Sequence, residues 1–92
     1  MKVRNSLENA RLTLLNQGWC QGTFVNGKGE HCVIGAFGWD PDEDTMEVAC
    51  NLLREVVMEM PLIPWNDAPE RRKEHLLETF NIAIGLANSR GL

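Results

Sequence analysis

Three cysteines and two histidines are the side chains of this sequence best suited to act as nucleophile, general base or soft metal ligand: Cys20, Cys32, Cys50, His31 and His75. A cysteine enzyme would use Cys32, which the pattern places near a helix start, where a thiolate is stabilised. Its base would be His75 or His31, and the spacing offers no third group to orient either one. A metal site would gather Cys20, His31, Cys32 and Cys50. That set lacks the close C-x-x-C pairing of zinc sites, and adjacent His31 and Cys32 would point apart on a strand. An odd cysteine count with no apolar leader argues against a disulfide framework. Reduced, buried thiols are the favoured reading, because free cysteine packs as a small apolar residue. No catalytic residue, metal ligand or cofactor is therefore assigned, and the balance is against an enzyme.

The other motifs reduce to architecture. Asp40-x-Asp42-x-Asp44 has Thr45 where a calcium loop needs Gly and Asn51 where it needs a bidentate Glu. It reads as acidic helix capping. Gly27-Lys28-Gly29 lacks the rest of a phosphate loop and reads as a turn. Arg71-Arg72-Lys73 is the one basic run, and on a helix it spreads around the circumference. With nine Lys and Arg against thirteen Asp and Glu, the net charge of -4 argues against a nucleic-acid binder. No apolar run is long enough for a membrane span. A cytoplasmic protein is expected, in the host cytoplasm if a phage encodes it.

The elements that would hold these residues follow from periodicity. Val3, Leu7, Ala10 and Leu14 recur at helical spacing, predicting a helix over 3–16 that ends at Gly18. Residues 19–25 and 30–34 flank Asn26-Gly27-Lys28-Gly29, which predicts an antiparallel hairpin. Asp44 is expected to cap a second helix running to about Met60, with Glu47 reaching back. Pro61 and Pro64 predict an apolar connector lying over the core. Asp67 is expected to cap a last helix over 68–89. The predicted fold is α+β: a helix, a two-stranded antiparallel hairpin, then two helices packed on it, in one domain over 1–92.

Three short motifs appear in order: Gly18-Trp19-Cys20-Gln21-Gly22, Cys32-Val33-Ile34-Gly35-Ala36, and Trp65-Asn66-Asp67. Together they resemble a family of small uncharacterised proteins of actinobacteria and their phages, with G-W-x-Q-G, C-x-x-G-A and W-N-D stretches. The resemblance implies a fold and an origin and no reaction. On physical grounds Trp19 and Trp65 would close the core, Gly35-Ala36 would permit a close approach, and Asn66 and Asp67 would cap a helix.

The functional reading that remains is a small non-enzymatic interaction module, a phage accessory factor acting on a host protein being one form of it. Leu12, Ile82 and Leu86 lie off the core stripes of their helices and are the candidate interface, with a protein partner or a second copy of the chain. Trp39 is a candidate contact beside them. The competing readings are an enzyme using Cys32 with a histidine, and weak nucleic-acid binding through Arg71, Arg72 and Lys73.

Overall fold

The stripe Val3, Leu7, Ala10 and Leu14 is buried along one side of a helix, α1, Lys2–Gln17. A computed structural model describes residues 1–38 and 42–92. It continues through a short 3-10 turn, Gly35–Phe37, to α2, Glu43–Val56, α3, Leu62–Asp67, and α4, Lys73–Ser89. Arg4 Nη1 donates to Asn88 Oδ1 at 3.1 Å, Arg11 Nε to the Leu77 carbonyl at 3.4 Å and Lys73 Nζ to the Leu15 carbonyl at 3.3 Å. Those contacts set α1 and α4 antiparallel. The start of α2 lies against both chain ends, since Met1, Val3, Thr45, Val48 and Leu92 line one shallow cleft. Leu7, Leu14, Leu53, Leu76 and Phe80 fill the space between the three long helices.

Local chemistry explains where the helices begin and end. Asp42, not Asp44, caps α2: its carboxylate accepts the Thr45 N–H at 3.1 Å and the Thr45 hydroxyl at 2.7 Å. Glu43 and Asp44 then sit in the first turn, where negative charge suits the helix dipole. The helix stops at Val56 rather than near Met60, because Met58 and Glu59 take left-handed φ of 61° and 66°. That reversal returns Leu62 and Trp65 to the core, where both are buried. The 61–65 connector is accordingly a helical turn and not an extended strap. Pro64 is its third residue, where the missing N–H would have had no intrahelical partner. Ala68, ahead of Pro69, is extended at φ -59° and ψ 136°, as a residue before proline prefers. A helix cannot pass through it, so α4 starts at Lys73, with the Arg72 N–H donating to His75 Nδ1 at 3.0 Å. Asp67 does not cap it.

The expected α+β class is overturned, because the described chain is helical and forms no sheet. The turn at 26–29 does form: Asn26 Oδ1 accepts the N–H groups of Lys28 and Glu30, each at 3.0 Å. Among the described residues, strand-type pairing is confined to isolated bridges, with His31 paired parallel to Trp19 and antiparallel to Val25. The Trp19–His31 bridge rests on His31 N–H to Gly18 O and Cys20 N–H to His31 O, both 3.0 Å. A growing parallel ladder would next join the Val33 N–H to the Cys20 carbonyl. The side-chain amide of Asn66 stands in that place. Its Oδ1 accepts from Val33 N at 2.9 Å and its Nδ2 donates to the Cys20 carbonyl at 3.2 Å. One asparagine ends the ladder after its first rung and joins the loop to α3.

Candidate functional site

The three sequence motifs meet at Asn66, which is fully buried. Besides Val33 N–H and the Cys20 carbonyl, its Oδ1 accepts from Trp19 Nε1 at 2.8 Å and its Nδ2 donates to Asp67 Oδ1 at 2.9 Å. Its amide thereby makes two donor and two acceptor contacts, the full capacity of the group. Gln21 Nε2 donates to the carbonyls of Asn66 and Ala68 at 3.0 and 2.8 Å, satisfying acceptors at the end of α3. Gly22, at φ 81°, donates its N–H to Asp67 Oδ1 at 3.0 Å. The middle motif closes from the other side. Cys32 donates its N–H to the Phe24 carbonyl at 3.0 Å, and its sulfur accepts the Gly35 N–H at 3.3 Å. A Cβ on Gly35 would lie 2.1 Å from the Phe24 oxygen, so only glycine fits there.

Over this polar knot lies a cleft of about 360 Å³ lined by Gly22, Thr23, Phe24, Cys32, Ile63 and Asp67. Phe24 and Ile63 supply its exposed apolar walls, at 57% and 46% of their full surface. Cys32, which also lines it, is buried. His75 lines a different cleft, with Val56, Trp65, Arg71 and Ile82. The two residues of the proposed cysteine-histidine pair thus border separate clefts. His31 has Gly35 O at 3.1 Å from Nδ1 and Gln17 Oε1 at 2.9 Å from Nε2. Burial pushes the Cys20 thiol up from its ordinary value, with the nearby Cys32 adding to it. Burial also raises the Cys50 thiol, on α2. Among the described residues no group of three or more His, Cys, Asp or Glu is placed to hold a metal ion.

The remaining candidates are dispersed. Leu12 and Ile82 are each 49% exposed, whereas Leu86 is part-buried against the core. Trp39 lies outside the described residues. Of the basic run, Arg71 lies over the Trp65 ring at 4.4 Å and donates to the Trp65 carbonyl at 2.9 Å. With Lys73 bonded to the Leu15 carbonyl, two of the three cations serve the fold. No described helix is long and apolar enough to cross a membrane.

Sequence reasoning missed Phe24, Ile63 and the role of Asn66. A signal for Asn66 was present: an amide directly after Pro61-Leu62-Ile63-Pro64-Trp65, a stretch that must cover the core, has to find partners for all its polar atoms. Nothing comparable marked Phe24, which sits in what read as a strand.

Over residues 1–86 the chain matches a family of unknown function (DUF6197), and it belongs to that family. No curated protein and no solved structure matches it.

Proposed function

We propose that this member of the family is a non-enzymatic interaction module whose cleft between the 22–24 loop and α3 receives an apolar side chain of a partner polypeptide. The observation behind this reading is the placement of Phe24 and Ile63, two large apolar side chains left half in water in the lining of one cleft. Burying such a side chain stabilises by about 1.5–3 kcal/mol, so the pair is a reservoir of binding energy. The backbone beneath them is fixed through Asn66, Gly22 and Gly35, and a rigid apolar anchor site loses little entropy on binding. The polar groups below are engaged within the chain, which leaves recognition to shape and apolar contact. The separation of Cys32 from His75 and the internal use of Arg71 and Lys73 weigh against the enzymatic and nucleic-acid readings.

Following the origin that the motif resemblance implies, the proposed partner is a protein of an actinobacterium, or of the infected host for a phage-encoded copy. The test is selection of linear peptides from a library tiled over an actinobacterial proteome, followed by NMR mapping on the folded protein. The expected result is an enriched peptide with an apolar anchor, shifting the amides of Gly22–Phe24, Ile63 and Asp67. Phe24→Ser and Ile63→Ser should each weaken it about ten-fold or more, or ~1.4 kcal/mol, without changing the fold. Shifts centred on Leu12 and Ile82 would overturn the cleft as the site and move the interface to the α1 and α4 surface. Absence of any enriched peptide would overturn the proposal.

A further inference from the structure

We propose that Cys20 and Cys32 form a reversible dithiol–disulfide site, opened to solvent through the cleft at Cys32. The parallel bridge pairs residue 19 with residue 31. In such a pair the next residue of each segment lies beside the other, with side chains on the opposite face. Those residues are Cys20 and Cys32. Both are buried, while Trp19 and His31 on the other face are partly exposed, as this alternation requires. Both thiols are free. Neighbouring strands lie about 4.8 Å apart, and the Cys20 N–H bond to the His31 carbonyl at 3.0 Å holds the two segments together beside residues 20 and 32. A disulfide needs its Cβ atoms about 4 Å apart, so closure asks for an approach of about an ångström. That bond and the Cys32 N–H bond to the Phe24 carbonyl, also 3.0 Å, hold the backbone here, and the Asn66 amide bridges the Cys20 carbonyl and Val33 N, so the approach must be made within these contacts.

The two sulfurs are not equivalent. Cys32 borders the cleft, which gives an outside reagent room to approach it, although residual exposure does not separate the two, at 4% for Cys32 and 8% for Cys20. Cys20 is not part of that lining and donates its thiol hydrogen to the Glu30 carbonyl at 3.2 Å. The oxidant is a low-molecular-weight disulfide. Cys32 loses its proton to solvent, attacks one sulfur of the small disulfide and expels the first thiolate, leaving a mixed disulfide. Cys20 then loses its proton, attacks the Cys32 sulfur and expels the second thiolate. The two cysteine sulfurs are oxidised, and the small disulfide becomes two thiols that take up the two released protons. Cys50 lies on α2 within the helical core and serves as an internal control.

The experiment equilibrates native protein with mixtures of reduced and oxidised glutathione at neutral pH, quenches it in acid and maps linkages by proteolysis and mass spectrometry. The expected product is a single Cys20–Cys32 linkage with Cys50 remaining a free thiol, reversed by excess reduced glutathione. Cys50→Ala should give the same linkage. Cys20→Ser, shown folded by circular dichroism, should instead retain glutathione on Cys32. The wild-type result stands even where a variant fails to fold. Absence of the linkage in native protein, a linkage through Cys50, or oxidation that requires denaturant would overturn the proposal.

Discussion

The three long helices and the 18–38 loop with α3 are held together by different physics. Between α1, α2 and α4 the interior is apolar, built on Leu7, Leu14, Leu53, Leu76 and Phe80. Such contacts are numerous, individually weak and tolerant of exchange at constant volume. The loop contributes less apolar burial: Gln21, Gly22, Thr23, Phe24 and Val25 are all exposed. Its position depends on a few directional bonds converging on Asn66 and on glycines that permit close contact. A helix loses stability by degrees when trimmed, whereas a polar knot loses it in one step, since each partner of a deleted group is left unsatisfied in a dry place.

The sharpest test of that contrast is Asn66→Ala. It strands Trp19 Nε1, the Val33 N–H and the Cys20 carbonyl together. At about 1–3 kcal/mol for each buried unpaired group, with partial relief from entering water, a loss of about 3–5 kcal/mol is expected. Urea unfolding measures it. Hydrogen exchange should show protection lost first at residues 19–35, with α1 and α4 still protected. Uniform loss across the chain would mean that the two regions are one cooperative unit.

Glycine to alanine can be made in both regions, with opposite expected signs. At Gly35 the new Cβ meets the Phe24 backbone oxygen, which cannot move without undoing the Cys32 N–H contact. Gly35→Ala should destabilise by about 1–3 kcal/mol, as overpacking does. Gly85 lies in the middle of α4, is exposed, and has nothing within 4 Å of a Cβ built on it. Gly85→Ala should stabilise by about 0.5–1 kcal/mol, the helix-propensity difference. Melting temperatures of the two variants moving in the same direction would contradict this placement.

The same contrast decides what was legible in the sequence. Helical spacing is a local signal, and Val3-Leu7-Ala10-Leu14 and Leu76-Phe80-Ala83-Ala87 carry it fully, so α1 and most of α4 could be read directly. The hairpin also had a real local signal, and the Asn26 turn forms. What no local pattern contained was the insertion of Asn66, 33 residues beyond Val33, into the position of the next rung. Strand propensity describes half-buried pairing. It gives no warning when a distant side chain takes the partner's place. The same distance hid the cleft: Phe24 and Ile63 become neighbours only once α3 docks on the loop. Pro61 and Pro64 read as breakers for a simpler reason, since a proline tolerated in a first turn looks the same in sequence as one that ends a helix. The three motifs do meet through hydrogen bonds, but Asn66 and Asp67 serve the 19–33 loop rather than the start of α4.

Acid gives the smallest expected effect, and it acts on the helical side. The Thr45 hydroxyl and N–H, in that order, hold the Asp42 carboxyl below the usual aspartate range. A carboxyl whose folded value is depressed contributes stability that is complete above its unfolded value and is lost as pH falls through the folded one. The cap at the start of α2 should therefore be intact at neutral pH, weaken as pH drops below about 4, and be absent once Asp42 is protonated. Glu55, lowered by its hydrogen bond to Arg90, loosens the link between α2 and the end of α4 in the same direction. Asn66, at the centre of the knot, does not titrate. In an NMR titration the Thr45 amide, bonded to Asp42, should move with that carboxyl, and Asp42→Asn should abolish the movement. In an Asp67→Asn background, which removes the carboxylate bonded to Asn66, the Val33 amide should stay in place across the same range. A Val33 amide that shifts together with Thr45 would show that the cap and the knot respond to acid as one, and that the division between the two regions is not thermodynamic.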